Sequence, residues 1–316
     1  MATTIFIDGK EGTTGLRIFD RLADRADVNL ITLEESRRKD PAARQECIHA
    51  ADVAILCLPD AAARESVALA QGRKTRILDT STAHRTMESW AYGFPELSIG
   101  HRDSIVHGQH VAVPGCHASG FIALVAPLVR CGLIPRDALL SCFSLTGYSG
   151  GGRKMIAQYE GDARTADLDS PRQYGLTQSH KHLPEMQHVT GLNAAPIFAP
   201  IVADFYSGME VTVPLFPGQL RCGKHPVEEI TAALREHYFG SPVVKVLGTE
   251  ETAALNGFAA ANAFSGLDGM ELMVLGNDER LQLVARFDNL GKGSSGAALQ
   301  CLNLMLGAPE TTGLNL

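Results

Sequence analysis

The chain opens with a pattern that few folds satisfy. Thr3-Thr4-Ile5-Phe6-Ile7-Asp8 is rich in β-formers, Gly9-x-x-Gly12-x-x-Gly15 follows at once, and Leu16, Ile18, Phe19 and Leu22 then recur at helical spacing. Strand, glycine turn and helix in direct succession begin a Rossmann-type unit. There the glycines let the backbone approach a pyrophosphate, and the helix N-terminus receives its charge. The spacing is not the commoner G-x-G-x-x-G, and a turn that merely joins strand to helix is the plain alternative. The alternation continues. Residues 28–33, 52–58 and 76–79 read as strands and the alanine-rich 61–71 as a helix, with 52–58 apolar throughout like a strand buried on both faces.

Chemistry gathers at the ends of these strands. After the second comes Glu34-Glu35-Ser36-Arg37-Arg38-Lys39, where an acid suits a ribose diol and arginines suit a 2′-phosphate. The Ser-Arg-Arg cluster favours NADP, with a solvated charge run as the alternative. The fourth strand leads into Thr80-Ser81-Thr82-Ala83-His84-Arg85, so Ser81 and Arg85 are candidates for cofactor or substrate contacts. Their alternative is turn capping and a surface charge. Residues 90–97 read as a loop covering the crevice.

The nucleophile candidate lies in Val113-Pro114-Gly115-Cys116-His117-Ala118-Ser119-Gly120, between a β-like run and an apolar helical run from Phe121. A cysteine at a helix N-terminus meets unpaired N–H groups and the positive end of the dipole, both of which favour thiolate. Thiolate is the attacking form, and the same N–H groups suit an oxyanion. The other cysteines read as buried structural residues. Seven cysteines, odd in number and scattered, are no disulfide framework. With no signal peptide, reduced thiols in a cytoplasm are expected. A formal charge of −7 without a basic stripe argues against nucleic acid. No apolar run approaches the roughly 18 to 20 residues that span a bilayer.

His180-Lys181-His182-Leu183-Pro184-Glu185 is the second constellation. On an extended segment the two histidines share a face. Three readings compete: a zinc site, which lacks partners at ligand spacing, a base for Cys116, or surface histidines. His182 is the preferred base, His180 its rival and His117 a weaker one. Gly150-Gly151-Gly152-Arg153-Lys154 offers a flexible turn beside two cations, suited to phosphate or carboxylate, with a plain flexible loop as the alternative. Further on, residues 210–215, 271–275 and 280–288 alternate like strands of a mostly antiparallel sheet, and 297–306 reads as a helix after a glycine-rich run that gives the chain room to cross back. At 316 residues the chain holds about two domains.

Taken together and in this order, Gly9-x-x-Gly12-x-x-Gly15, Pro114-Gly115-Cys116, Tyr148-Ser149-Gly150-Gly151-Gly152-Arg153-Lys154, His180-Lys181-His182-Leu183-Pro184-Glu185 and Asp288-Asn289-Leu290-Gly291-Lys292-Gly293-Ser294 resemble the N-acetyl-gamma-glutamyl-phosphate reductases, in their shorter form, over essentially the whole chain. Two places depart from the pattern expected of them: His84, and Lys10-Glu11 in the first loop. The resemblance implies an α/β protein with an N-terminal Rossmann-type dinucleotide-binding domain and an α+β catalytic domain of the semialdehyde/glyceraldehyde dehydrogenase kind. The expected boundaries are 1–116 with about 293–316 for the first and 117–292 for the second.

It further implies an acyl-thioenzyme on Cys116, hydride from NADPH, a catalytic His180/His182 pair, no metal, and a homo-oligomer, dimer or tetramer. Expected cofactor contacts are Gly9, Gly12, Thr13, Thr14, Gly15, Ser36, Arg37, Arg38, Pro59, Ser81, Asn289 and Gly291. Expected substrate contacts are Arg85, Ser149, Gly150, Arg153, Lys154 and Glu185. The rival readings are the sister reductase of aspartyl phosphate or a triose enzyme, a non-catalytic NADP sensor, and a cysteine hydrolase, which has no need of the glycine-rich first unit.

Overall fold

The computed structural model describes residues 2–316. They form two units: one takes the chain up to Gly115 together with Ser294–Leu314, the other Cys116–Gly293 with Asn315–Leu316.

The first unit is built on six parallel strands: β1 (Thr3–Asp8), β2 (Val28–Ile31), β3 (Val53–Leu56), β4 (Arg76–Asp79), β5 (Ala91–Tyr92) and β6 (His110–Ala112). Their order is β2-β1-β3-β4-β6-β5. The chain leaves β1 to one side for β2 and returns to its other side for β3, which places a topological switch point beside β1. Helices α1 (Thr13–Ala23), α2 (Pro41–Ala50), α3 (Asp60–Leu69), α4 (Ile99–His107) and α10 (Gly296–Leu306) complete the unit. Alternate β1 side chains take opposite faces. Ile5 and Ile7 pack with Ile18 and Leu22 of α1 and with Leu299 and Leu302 of α10, while Phe6 packs with Ile48, Ala54, Leu56 and Ala63.

The second unit has a seven-stranded mixed sheet, ordered β11-β12-β13-β10-β7-β9-β8. Its strands are β7 (Ser141–Gly147), β8 (Arg172–Gln173), β9 (Ile197–Ala203), β10 (Met209–Leu215), β11 (Val244–Val246), β12 (Met270–Asn277) and β13 (Arg280–Phe287). Two pairings are parallel, β7 with β9 and β11 with β12, and the rest are antiparallel. The helices are α5 (Cys116–Arg130), α6 (Gly152–Glu160), α7 (Leu183–Thr190), α8 (Pro226–His237) and the short α9 (Thr249–Ala253). Helix α5 lies so close to the sheet that a Cβ at Gly120 would stand 2.5 Å from the Val211 side chain and 2.9 Å from the Phe287 ring. The other face of the sheet leaves Phe143 49% and Ile197 67% exposed. Among the described residues no helix is long and apolar enough to cross a membrane.

Three local expectations need correction. Residues 90–97 are not a covering loop: β5 pairs with β6 at the sheet edge, and Tyr92, Phe94 and Leu97 are buried. Apolar side chains at these positions gain more from the core than a loop would offer. The glycine-rich run before α10 is no slack connector either. Gly291–Ser295 is a turn of π-helix, organised by the Asp288 carbonyl, which accepts from the N–H groups of Gly291 (3.1 Å) and Gly293 (3.0 Å). Lastly, His180 and His182 do not sit on an extended segment. They lie in a turn that enters α7, with His182 at helical dihedrals.

Candidate active site

In the first unit, a cavity of about 500 Å³ opens beyond the C-terminal ends of β1 and β3. Its walls include Asp8, Gly9, Lys10, Glu11 and Gly12 from the glycine turn, Leu33, Glu35, Arg38 and Lys39 after β2, and Cys57, Leu58, Pro59 and Ala62 after β3. Gly9 has φ +87, and a Cβ on it would stand 2.4 Å from the Cys57 carbonyl oxygen. A Cβ on Gly15 would meet the Gly9 carbonyl at the same 2.4 Å. Only bare backbone therefore fits at this cradle, and the N–H groups that begin α1 lie beside it. This is what a dinucleotide pyrophosphate requires. Thr13 and Thr14 open α1, with Thr14 Oγ1 3.1 Å from Ser294 Oγ.

The basic cluster divides in a way the sequence does not reveal. Arg38 and Lys39 line the cavity, whereas Ser36 and Arg37 are not among its walls. Arg37 lies 3.7 Å from Asp40 and 3.8 Å from Glu46, and Arg38 lies 3.3 Å from Glu35, so it is the cavity lining that separates the two arginines. The cause is the 3₁₀ turn Glu35–Arg37, in which successive side chains point about 120° apart. Arg44, absent from the expected set, also lines the cavity, buried and ion-paired with Asp8 at 3.1 Å. Ser81 is buried and donates through Oγ to Asp79 (2.7 Å), while Arg85 donates to the carbonyls of Val113 (2.8 Å) and Thr80 (2.9 Å).

In the second unit Cys116 is the first residue of α5, a fifteen-residue helix buried along most of its length. A Cβ on Gly293 would lie 2.9 Å from the Cys116 Cβ, so that glycine keeps the space beside the thiol. Burial pushes the thiols of Cys142, Cys47, Cys222 and Cys57 up, the last to about 12, which keeps them protonated and inert near neutral pH.

Histidines crowd the neighbourhood of Cys116. The His117 ring centroid is 5.7 Å from that of His180 and 5.6 Å from that of His182, and the latter two are 4.8 Å apart, edge-on. Phe198 of β9 closes on His117 at 5.3 Å and on His180 at 5.1 Å. His117 has a hydroxyl at each nitrogen: Ser144 Oγ at 2.6 Å from Nδ1 and Tyr174 Oη at 2.5 Å from Nε2. Burial, with His180 and Lys181 adding to it, drives its pKa down to about 3. A neutral imidazole donates once and accepts once, so the two hydroxyls complete it, and it is no base for the thiol. His180 is lowered to about 4 by burial and by Lys181, and its Nδ1 accepts from the His182 N–H at 3.2 Å, which leaves the ring proton on Nε2. His182 itself is buried at the start of α7, with Glu185 buried in the first turn behind it. The phenol of Tyr174 is raised by burial and by Cys116, a second sign that Tyr174 faces the nucleophile.

These shifts set an acid limit on stability. A histidine depressed in the folded state must lose its proton to fold, so stability is complete above the unfolded pKa near 6.5 and falls as pH drops towards the folded value. For His117 the window runs from about 6.5 down to about 3. At pH 5 this one residue should cost about 2 kcal/mol relative to pH 7. Thermal melts of the wild type and His117→Gln at both pH values check it. The variant's melting temperature should fall less on acidification, and parallel slopes would refute the assignment.

The remaining expected residues are held within the second unit. The Asn289 amide donates to Ser149 Oγ (3.0 Å) and its carbonyl oxygen accepts from the Gly208 N–H (2.9 Å), which shapes the turn at Ser149 and Gly150. A Cβ on Gly291 would lie 2.1 Å from the Leu267 carbonyl oxygen. Arg153 and Lys154 are exposed in the first turn of α6. Sequence reasoning missed Lys39, Arg44, Ser144, Tyr174 and Gly293. Lys39 and Gly293 carried a signal, through their places in the 34–39 run and the 288–294 motif.

Residues 116–289 match the family model for the semialdehyde dehydrogenase dimerisation domain. The N-acetyl-gamma-glutamyl-phosphate reductases of Brucella ovis and Brucella abortus are each 47% identical over 312 residues, covering 97% of this chain and all of theirs. Among solved structures, aspartate semialdehyde dehydrogenase II of Vibrio cholerae superposes with TM-score 0.73 at 14% identity, covering 97% of this chain and 99% of that one. The aspartate semialdehyde dehydrogenase of Candida albicans, solved with NADP, gives 0.66 at 14% identity over 98% and 99%. These structures share the fold, and the Brucella sequences carry the closer kinship: this chain belongs to the N-acetyl-gamma-glutamyl-phosphate reductase family.

Proposed function

We propose that the protein reduces N-acetyl-L-glutamyl 5-phosphate to the 5-semialdehyde with NADPH and releases phosphate, the work of an arginine-biosynthetic enzyme of the cytoplasm. The observation that carries the reading is Cys116 at the head of a buried helix, beside a histidine cluster of which two members are held neutral. The Cys116 sulfur attacks the acyl carbon, the C–O bond to phosphate breaks, and the acyl group remains on sulfur as a thioester. N–H groups of the first turn of α5 receive the oxyanion of the tetrahedral intermediate. His182 takes the thiol proton and returns it, with His180 holding the turn through its Nδ1. When bound, NADPH supplies the hydride that converts the thioester to aldehyde. For it the chain offers Gly9, Gly12, Gly15, Pro59, Arg38 and Lys39 in the first unit. Arg153 and Lys154, exposed in the first turn of α6, offer cations to the substrate's phosphoryl and carboxylate groups.

The test runs the reaction backwards, as phosphate-dependent formation of NADPH from N-acetylglutamate semialdehyde. Aspartate semialdehyde should be turned over far more slowly. A preference for the shorter aldehyde would overturn the substrate, and no NADPH from either would overturn the reaction. His182→Asn should lower kcat by about a hundredfold or more, and His180→Asn by less. The reverse ranking would transfer the proton to His180. We further infer a homodimer formed through the exposed sheet face that carries Phe143 and Ile197, since an apolar patch of this kind marks an interface.

A further inference from the structure

His117 follows Cys116 in the second unit, and its neighbours decide which ring nitrogen carries the proton. Its Nδ1 stands 2.6 Å from Ser144 Oγ and its Nε2 2.5 Å from Tyr174 Oη. Burial, with His180 and Lys181 adding to it, keeps the ring neutral, so one nitrogen donates and the other accepts. Ser144 is fully buried on β7, and among the described residues its hydroxyl has no acceptor but Nδ1. A buried hydroxyl without an acceptor would carry its full desolvation cost, so Ser144 donates to Nδ1. The ring proton therefore sits on Nε2 and is donated to the Tyr174 oxygen. That oxygen, already an acceptor, keeps its own proton for another partner.

Tyr174 follows the edge strand β8, and its N–H donates to the Pro200 carbonyl of β9 at 3.0 Å. Its ring lies 6.0 Å from that of His117 and 5.9 Å from that of His180. Burial raises the phenol above its ordinary value, and the charge of Cys116 adds to the rise, which marks the two as neighbours. At neutral pH Tyr174 is thus a donor and no base.

We propose that Tyr174 is a catalytic residue whose hydroxyl donates a hydrogen bond to the Cys116 sulfur. Ser144 and His117 are positioning residues, a relay that leaves the phenolic proton directed at that sulfur. The bond holds the thiolate before attack, and again as the C–S bond breaks and the aldehyde departs. The phenol keeps its proton throughout. The role in turnover rests on the reductase reading above, but the bond itself is tested without substrate or cofactor. Around the pair stand His117 of α5, then His180, Lys181 and His182 before α7, with Glu185 in its first turn. None of these changes when Tyr174 is replaced by phenylalanine, so a difference between the two proteins belongs to the hydroxyl. A donor to an anion of this kind should hold the thiol pKa about one pH unit lower than it would otherwise stand.

The probe is iodoacetamide, with its rate followed across pH on the peptide that carries Cys116. Tyr174→Phe should raise the apparent pKa of labelling by about one pH unit. Thiolate nucleophilicity climbs with pKa, by about threefold per pH unit. The variant should therefore label about threefold slower at pH values below the wild-type pKa and about threefold faster on the alkaline plateau. The two profiles cross, whereas a distorted or loosened site moves the whole profile one way. An unmoved pKa, or profiles that do not cross, would overturn the proposal. Nitrogen NMR of the wild type with labelled histidine reads the His117 tautomer and needs no variant to fold. It should find the proton on Nε2, and a proton on Nδ1 would overturn the relay. Crossing profiles in a protein that reduces no acyl phosphate would support the bond and bring down the reductase reading alone.

Discussion

Cys116→Ser should lose at least about a thousandfold in turnover while binding NADPH within about twofold of the wild type. The size follows from acidity. An unperturbed thiol ionises near about 8.5, and a helix N-terminus moves it towards neutral pH, whereas a serine hydroxyl stays protonated in the same place. The fold has no reason to object: serine is smaller, polar and at home in the first turn of a helix. Steady-state rates, paired with an NADPH fluorescence titration, separate the two effects. Retention of a tenth of the rate would show that sulfur is not the attacking atom. Iodoacetamide gives an independent reading, because labelling of the buried Cys142 should be slow and labelling of Cys116 should abolish activity.

The second large effect concerns cofactor choice. Replacing Arg38 and Lys39 together by alanine should weaken NADPH by about ten to a hundredfold and leave NADH almost unchanged. Both residues line the cavity at the end of β2, where a 2′-phosphate would gain charge-assisted hydrogen bonds that a bare hydroxyl lacks. Arg37→Ala should alter neither affinity, since that residue does not line the cavity. Both titrations belong at one ionic strength, because Arg38 is half exposed and salt screens it. Equal losses for the two cofactors would mean that the pair acts through the general field. A loss on Arg37→Ala alone would move the phosphate to that residue.

What the sequence made legible was local. Strand, glycine turn and helix are specified within the first 23 residues, and a cysteine before an apolar helical run is read from a dozen. Residues joined by pairing across the chain were hidden. Tyr174 reaches His117 only because the chain from 172 to 174 is hydrogen-bonded to β9, which pairs in turn with β7, home of Ser144. Nothing in Arg172-Gln173-Tyr174-Gly175 announces that. Side-chain direction inside a short turn was equally hidden, which is why Arg37 and Lys39 exchanged places as wall residues. The glycines at 291 and 293 were visible as a motif, but their reason is the close approach of the Leu267 carbonyl and Cys116, which exists only in the folded chain.

Helix α10 gives the first unit a peculiar birth. Ile5, Ile7, Ile18 and Leu22 are made early, yet the Leu299 and Leu302 side chains that cover them are translated almost 300 residues later. At about 5 to 20 residues per second on the ribosome, that apolar surface waits many seconds for its lid, while Cys116–Gly293 can complete its own sheet in the interval. Until α10 emerges, that apolar surface of β1 and α1 stays uncovered.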